Sequence, residues 1–458
     1  MTSIDALARL WQLSGLPAGA LAFVTLTGRE PVLPSSFAVG TVAQAGIAAA
    51  ALAACELGHA RGTPRQQVSV AIEHAALEAT GWFSVNGVVP QLWDPFSGLY
   101  RCSDGWVRVH ANFSHHREGA LRLLGLDPAT ASRADAEAAM LCWSAINFET
   151  AAANAGLVAT AARSFAQWDA TSQGKAVAAQ PLFSIERISD AAPLTLPELS
   201  IADRPLTGVR VLDLTRILAG PVGGRTLAAY GADVMLLNAP SLPNIEAIAD
   251  TSRGKRSAHV DLRTSQGRSA MDSLLESSHV FLQGYRPGSL QALGYGPHEV
   301  ASRRPGIVYV SLTAYGNSGP WSERRGFDSL LQTAMGFNLA ESDAAGDGQP
   351  RPMPVPILDQ ATGYLIGLCT STALLRQRQE GGSWHVQVSL AQTAHWLRSL
   401  GRIGDGLAAT RPDLQPSLET CDSGFGRLVG IRHAAQLSRT PAIYTRPSMR
   451  PGYDPPHW

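Results

Sequence analysis

The chain reads as an α/β protein: a doubly wound, Rossmann-like parallel sheet in a large domain, with a second, smaller α/β domain. Three observations predict this. Residues 208–238, GVRVLDLTRILAGPVGGRTLAAYGADVMLLN, hold two short apolar runs, 209–214 and 234–237, on either side of a Gly/Pro loop and an alanine-containing segment, the pattern of a strand-helix-strand unit. Further apolar runs at 258–262, 280–283 and 307–312 alternate with helical stretches, and such alternation builds parallel sheets. Far upstream, LYRCSDGWVRVH (99–110) reads as a hairpin around the turn Ser103-Asp104-Gly105, outside that series.

Composition narrows the function classes. At 458 residues and 45% apolar content, the chain suits two to four domains with sizeable cores. Lys+Arg and Asp+Glu balance at 37 each, which gives no electrostatic case for nucleic acid or an anionic membrane. The five cysteines, Cys55, Cys102, Cys142, Cys369 and Cys421, are odd in number, far apart and without C-x-x-C pairs, against a disulfide framework or structural zinc and in keeping with a reducing cytoplasm. The opening MTSIDALARLWQLSG lacks the basic-then-apolar layout of an export signal. The alanine-rich stretch 43–55 is about half the roughly 20 residues a membrane span needs, so it is expected to be a packed helix.

In chain order, residues 1–94 form a helical region, with a helix at 42–56 ended by the breaker at 59–64 and a second helix or strand at 67–77. Residues 95–195 are expected to be the small α/β domain: the hairpin, then helices at 117–124, 135–145 and 159–168. Within it, His115-His116 have no third ligand nearby and read as surface residues, not a metal site. A Pro-rich linker, 192–205, leads to the large domain, 206–400. A Gly/Pro-rich connector and tail, 401–458, completes the chain.

One internal similarity stands out. VAQAGIAAAALAACELGHARGTPRQQVSVAIEHAAL (42–77) and DQATGYLIGLCTSTALLRQRQEGGSWHVQVSLAQTAHWL (359–397) share a small-residue helix, a basic Gly-containing turn, a V-x-V run and a second amphipathic helix. Only the later copy opens on a carboxylate, Asp359. The early copy then reads as a non-catalytic version of the same unit.

The loop 216–224 is the first place to look for a bound anion, because a strand-to-helix turn aims free N–H groups and the positive helix end at one point. It is no dinucleotide fingerprint: Gly220, Gly223 and Gly224 do not give G-x-G-x-x-G, and the second strand ends on Asn238, not an acid. It is no P-loop either, since Gly224-Arg225-Thr226 supplies no lysine. NAD and ATP are therefore not expected, nor is a metal.

Five motifs occur in order: VLDLTRILAGP (211–221), SRGKRSAHVDL (252–262), YRPGSLQALGYG (285–296), GNSGPWSERRGFDSLLQTAMG (316–336) and D-x-x-x-G (359–363). Together they resemble the class III CoA-transferases, the family of formyl-CoA and carnitine CoA-transferases and of related acyl-CoA racemases. The resemblance covers about 206–400. The upstream half also resembles the family, in its later part: the YRCSDGWV hairpin and the segment after it are similar to the family's small domain, and GIRHAAQLSRTP (430–441) to its C-terminal end. The order is thus rearranged, later half first.

By this resemblance Asp359 is the nucleophile, attacking an acyl-CoA thioester to give a mixed anhydride and, in exchange with an acceptor acid, an enzyme-CoA thioester. At the head of its helix it is also expected to act as N-cap. The family's CoA contacts fall on Leu218, Ala219, Val260 to Arg263, Gly284, Tyr285 and Arg325, the last able to pair with a phosphate. Three positions depart from the family pattern: Asn238 for glutamate, Gly284 for asparagine and Ala292 for arginine. The resemblance further implies acyl-CoA and a carboxylic acid as small-molecule partners, and a homodimer, with no nucleic acid and no membrane. Two alternatives remain open at this point. One is an acyl-CoA racemase or epimerase of the same family, where a histidine stands in place of Phe327 before Asp328. The other is a non-catalytic acyl-CoA-binding protein.

Overall fold

The apolar runs assemble as a seven-stranded sheet in the order Lys255–His259, Asp233–Asn238, Arg210–Leu214, Val280–Gln283, Val308–Thr313, Ser383–Ser389, Phe183–Ser189. The structure is a computed structural model, and it describes residues 1–458. Six strands are parallel; Phe183–Ser189 closes the edge antiparallel to Ser383–Ser389. Successive side chains point to opposite faces of a strand, and both faces here are covered. Leu212, Leu214, Met235, Leu237, Phe281 and Tyr309 pack with Met271, Leu274, Leu275 and Val300 of helices Ser265–Glu276 and Pro297–Arg303. Val211, Val234, Val280, Leu282, Val308 and Val310 face the other way, into the main core.

That core is organised by two long helices, Val39–Ala60 and Ile357–Glu380, lying side by side. Residues 39–58 and 357–375 are buried without a break. Small side chains permit the approach: a Cβ on Gly367 would lie 3.2 Å from Ala50 Cβ, and one on Gly46 3.3 Å from Tyr364 Cβ. Val39–Ala60 runs three residues earlier and four later than the sequence suggests; by length and composition it could cross a membrane, but it is wholly enclosed by protein here. The two similar segments are thus packed against each other.

Helix Ile357–Glu380 also rests on helix Ala219–Ala229, and the motif D-x-x-x-G has a packing reason there. A Cβ on Gly363 would lie 2.5 Å from Val222 Cγ1 and 2.9 Å from the Ala219 carbonyl oxygen. Forcing a methyl into such a contact displaces one helix, so Gly363→Ala is expected to cost about 1–3 kcal/mol. The check is a lower urea midpoint at unchanged m-value.

Several expectations need correction. Residues 219–223 are the first turns of helix Ala219–Ala229, not a loop. Pro221 is tolerated because a first-turn N–H has no intrahelical partner to lose, and Gly224 is there for contact: a Cβ would lie 2.2 Å from Asp213 Oδ2. Residues Ala159–Ala161 form a strand beside the hairpin Gly98–Arg101 and Trp106–Val109, and the helix starts only at Phe165, capped by the Ser164 side chain. Phe183–Ser189 belongs to the central sheet, so the small domain ends before the expected residue 195. The tail is more than connector: Leu418–Ser423 and Gly426–Ile431 form a hairpin that pairs with Phe83–Val85.

Candidate active site

Strand Arg210–Leu214 delivers the chain to a turn at 215–218 whose shape is set by a buried ion pair. Asp213, fully buried on that strand, accepts from Lys255 Nζ at 2.8 Å and from the Thr215 backbone N–H at 3.0 Å, while Lys255 also donates to the Pro221 carbonyl at 2.8 Å. Strand, turn and helix are thereby tied together. Ile217 adopts φ +75°, a strained conformation for a β-branched residue. Leu218, the N-cap, offers no side-chain acceptor, so the first N–H groups of helix Ala219–Ala229 remain available to a ligand.

This turn is one wall of a cleft of about 370 Å³. Gly284, Tyr285 and Arg286, after strand Val280–Gln283, form the opposite wall, with Arg324, Arg325 and Phe327 beside them. Asp359 lies within the cleft. Phe113, His115 and His116, from the upstream small domain, cover it, so one chain supplies both halves. Four arginines, Arg216, Arg286, Arg324 and Arg325, line the cleft against one carboxylate, that of Asp359. An anionic ligand is favoured there by electrostatics.

Asp359 stands in the first turn of its helix, but Pro356 is the N-cap and makes no side-chain cap bond. The expected capping role for Asp359 is therefore wrong. The cap comes from another element: Asp328 Oδ2 accepts from the backbone N–H groups of Leu358 at 2.8 Å and Asp359 at 3.1 Å, while Asp328 Oδ1 accepts from Gln332 Nε2. Freed from capping, the Asp359 carboxyl is left to the cleft. Burial, then the Asp328 charge, push it well above the usual carboxylate range. Burial also raises Asp328, to about 6, although its three donors and Arg108 act the other way.

The CoA positions inferred from sequence separate into two sets. Leu218, Ala219, Gly284, Tyr285 and Arg325 line the cleft with Asp359. Val260 is buried in the core on the far sheet face, and Arg263 pairs with Asp261 on the surface at 2.7 Å; neither lines this cleft. Arg325 is already engaged, donating to the Gly156 carbonyl at 3.1 Å and lying 3.0 Å from His116 Nε2. His116 must accept there and is neutral; burial takes it down to about 4. Asn238 is buried with both amide atoms unpartnered.

Sequence reasoning missed His116, which it placed on the surface, and Asp328; His115 is exposed, as expected, though it lines the cleft. His116 is only 4% exposed, but nothing local marks it, because the Arg325 guanidinium it meets comes from a segment 209 residues away. A second cleft of about 220 Å³ adjoins the first through Arg286, Pro287 and Thr313. Its polar groups satisfy one another: Ser311 Oγ and His385 Nε2 lie 2.9 Å apart, and Gln387 Nε2 meets His385 Nδ1 at 3.2 Å.

Similarity to known proteins bears on the same cleft. Residues 206–402 match CoA-transferase family III. A probable fatty acyl-CoA transferase of Mycobacterium tuberculosis is 34% identical over 210 residues, 43% of this chain and 53% of that protein. An acyl-CoA transferase of Gibberella moniliformis is 29% identical over 387 residues, 75% of this chain and 68% of that protein. A crystal structure of an M. tuberculosis protein is 33% identical, covers 43% of this chain and 59% of its own, and superposes with a TM-score of 0.40. The chain thus spans about half the length of the mycobacterial relative.

Proposed function

We propose that this chain, whose residues 206–402 belong to CoA-transferase family III, moves CoA between an acyl-CoA thioester and a carboxylic acid, with Asp359 as nucleophile. The observation that carries the reading is Asp359 itself: the lone carboxylate of a cleft otherwise rimmed by arginines, with no protein group donating to its oxygens. An Asp359 oxygen attacks the thioester carbonyl, the C–S bond breaks, and CoA leaves as thiolate. An acyl-aspartyl anhydride remains. The thiolate then attacks the Asp359 carbonyl, which releases the donor acid and leaves CoA on the enzyme as a thioester. The acceptor carboxylate repeats the sequence in reverse, giving the new acyl-CoA and free Asp359. The arginines and the free N–H groups at Ala219 suit the CoA phosphates.

A racemase needs a base beside the thioester α-carbon. Phe327 stands before Asp328 in the cleft wall and cannot take a proton, and His110, which stacks on it at 4.0 Å, does not line the cleft that holds Asp359. Transfer is the better-supported chemistry. The substrates, a homodimer and a cytoplasmic setting are parts of the same proposal. The test is a thermal-shift titration with CoA followed by exchange of isotope-labelled CoA-thioester into a panel of carboxylic acids. Exchange supports transfer; stabilisation by CoA with no exchange into any acid would assign the chain to acyl-CoA binding alone.

A further inference from the structure

We infer that Asp328 is a positioning residue for Asp359: it holds the first turn of helix Ile357–Glu380 in place and sets where the proton of the buried carboxyl pair resides. This rests on the transferase reading but goes beyond it. Asp328, on helix Asp328–Ala334, is 5% exposed and does not line the cleft, though its neighbour Phe327 does. Its Oδ2 takes the N–H groups of Leu358 and Asp359 together, and its Oδ1 takes the Gln332 amide. Gln332 is fixed in turn, since its Oε1 accepts the Met353 N–H at 2.9 Å.

The three donors assign the charge within the pair. A carboxylate receiving hydrogen bonds is favoured in its ionised form, whereas one without donors in a buried setting is favoured protonated. Asp328 therefore keeps the charge, and the proton resides on Asp359 in the free enzyme. The groups facing the pair do not reverse this. Arg108, on strand Trp106–Val109, acts on Asp328; His110, at the end of that strand, stacks on Phe327 and is neutral; Gln332 is uncharged. Asp359 gives up this proton only as pH rises above the usual carboxylate range, and the nucleophile is then released.

The tests use the full-length chain. Asp328→Asn keeps an oxygen for the two N–H groups but removes the charge, so the acid limb of CoA exchange is expected to shift to lower pH by about one unit or more. Asp328→Ala removes the acceptor too and is expected to lower exchange at every pH, with Asp328→Glu recovering part of it. A readout without activity comes from carbodiimide labelling, which modifies protonated carboxyls, followed by peptide mass mapping. In the parent chain Asp359 should remain reactive at a pH where exposed carboxyls no longer react, and in Asp328→Asn that reactivity should disappear at lower pH. Superimposable labelling profiles for Asp359 in the two proteins would overturn the inference even if no exchange substrate is ever found. If labelling shifts but the parent exchanges no acyl group, the inference stands and the transferase reading fails.

Discussion

Asp359→Asn is expected to abolish CoA exchange, by about 10³-fold or more, and at the same time to raise thermal stability at neutral pH. The first effect comes from removing the attacking oxygen. The second comes from the carboxyl pair. Asp359 and Asp328 both titrate above the ordinary carboxylate value in the folded chain. Between the unfolded value and the raised folded one, the folded state holds a proton the unfolded chain has released, so stability falls as pH rises through that window. For Asp328 the window runs from the usual carboxylate range to about 6, and for Asp359 it extends well above that range. Above it, the folded protein keeps two buried like charges together. An amide at 359 relieves this, so the gain is expected to be larger at pH 7 than at pH 4, where both carboxyls are protonated in the folded chain. No cap is lost, because the helix is capped from Asp328. Calorimetry of the two proteins at pH 4 and pH 7 checks the sign: a destabilised Asp359→Asn at pH 7 would contradict the strained pair. A site less stable than its isosteric variant is what selection for reactivity leaves behind.

The central strands were legible because burial on both faces demands continuous apolar runs, as at Val211, Leu212 and Val308 to Val310. The acid of the long helix was legible because it sits in a motif with fixed spacing, and Gly363 now has a reason for that spacing. Other features were illegible for physical causes. Gly220 to Gly224 look like a loop, since sequence does not distinguish a glycine required by a positive φ from one required by a neighbour at van der Waals distance. The edge strand Phe183–Ser189 exposes two consecutive charged residues, Glu186 and Arg187, so it lacks the apolar run that marks the interior strands. Asp328 gains its role through Leu358 and Asp359, 30 and 31 residues on, and His116 meets Arg325, 209 residues on. A pattern read locally contains no trace of such contacts.

Residues 200–458 expressed alone are expected not to fold, and so to lack CoA exchange altogether. The small domain that covers Asp359, with Phe113, His115 and His116, would be gone, but that is the lesser loss. Helix Ile357–Glu380 is buried along 357–375 largely by Val39–Ala60 and Ala219–Ala229. Val39, Val42, Ile47, Leu52 and Leu57 of the removed helix are all at most 1% exposed; at about 1.5–3 kcal/mol each their burial amounts to roughly 7 to 15 kcal/mol, the size of a whole domain's net stability, about 5–15 kcal/mol. The truncation also strips the sheet of its antiparallel edge and leaves the hairpin at 418–431 without Phe83–Val85. It also leaves buried polar groups without a partner: the deleted Glu78 is the acceptor for His433 Nδ1 at 2.9 Å and for the Ala434 N–H at 2.7 Å, and it faces the buried Arg225 at 3.7 Å. The measurement is a urea titration of 200–458 monitored by far- and near-UV circular dichroism, with an exchange assay alongside. Loss of the cooperative transition is the expected result. A cooperatively folded, fully active 200–458 would show that the two halves are independent, and the shared core assigned to the paired long helices would have to be abandoned.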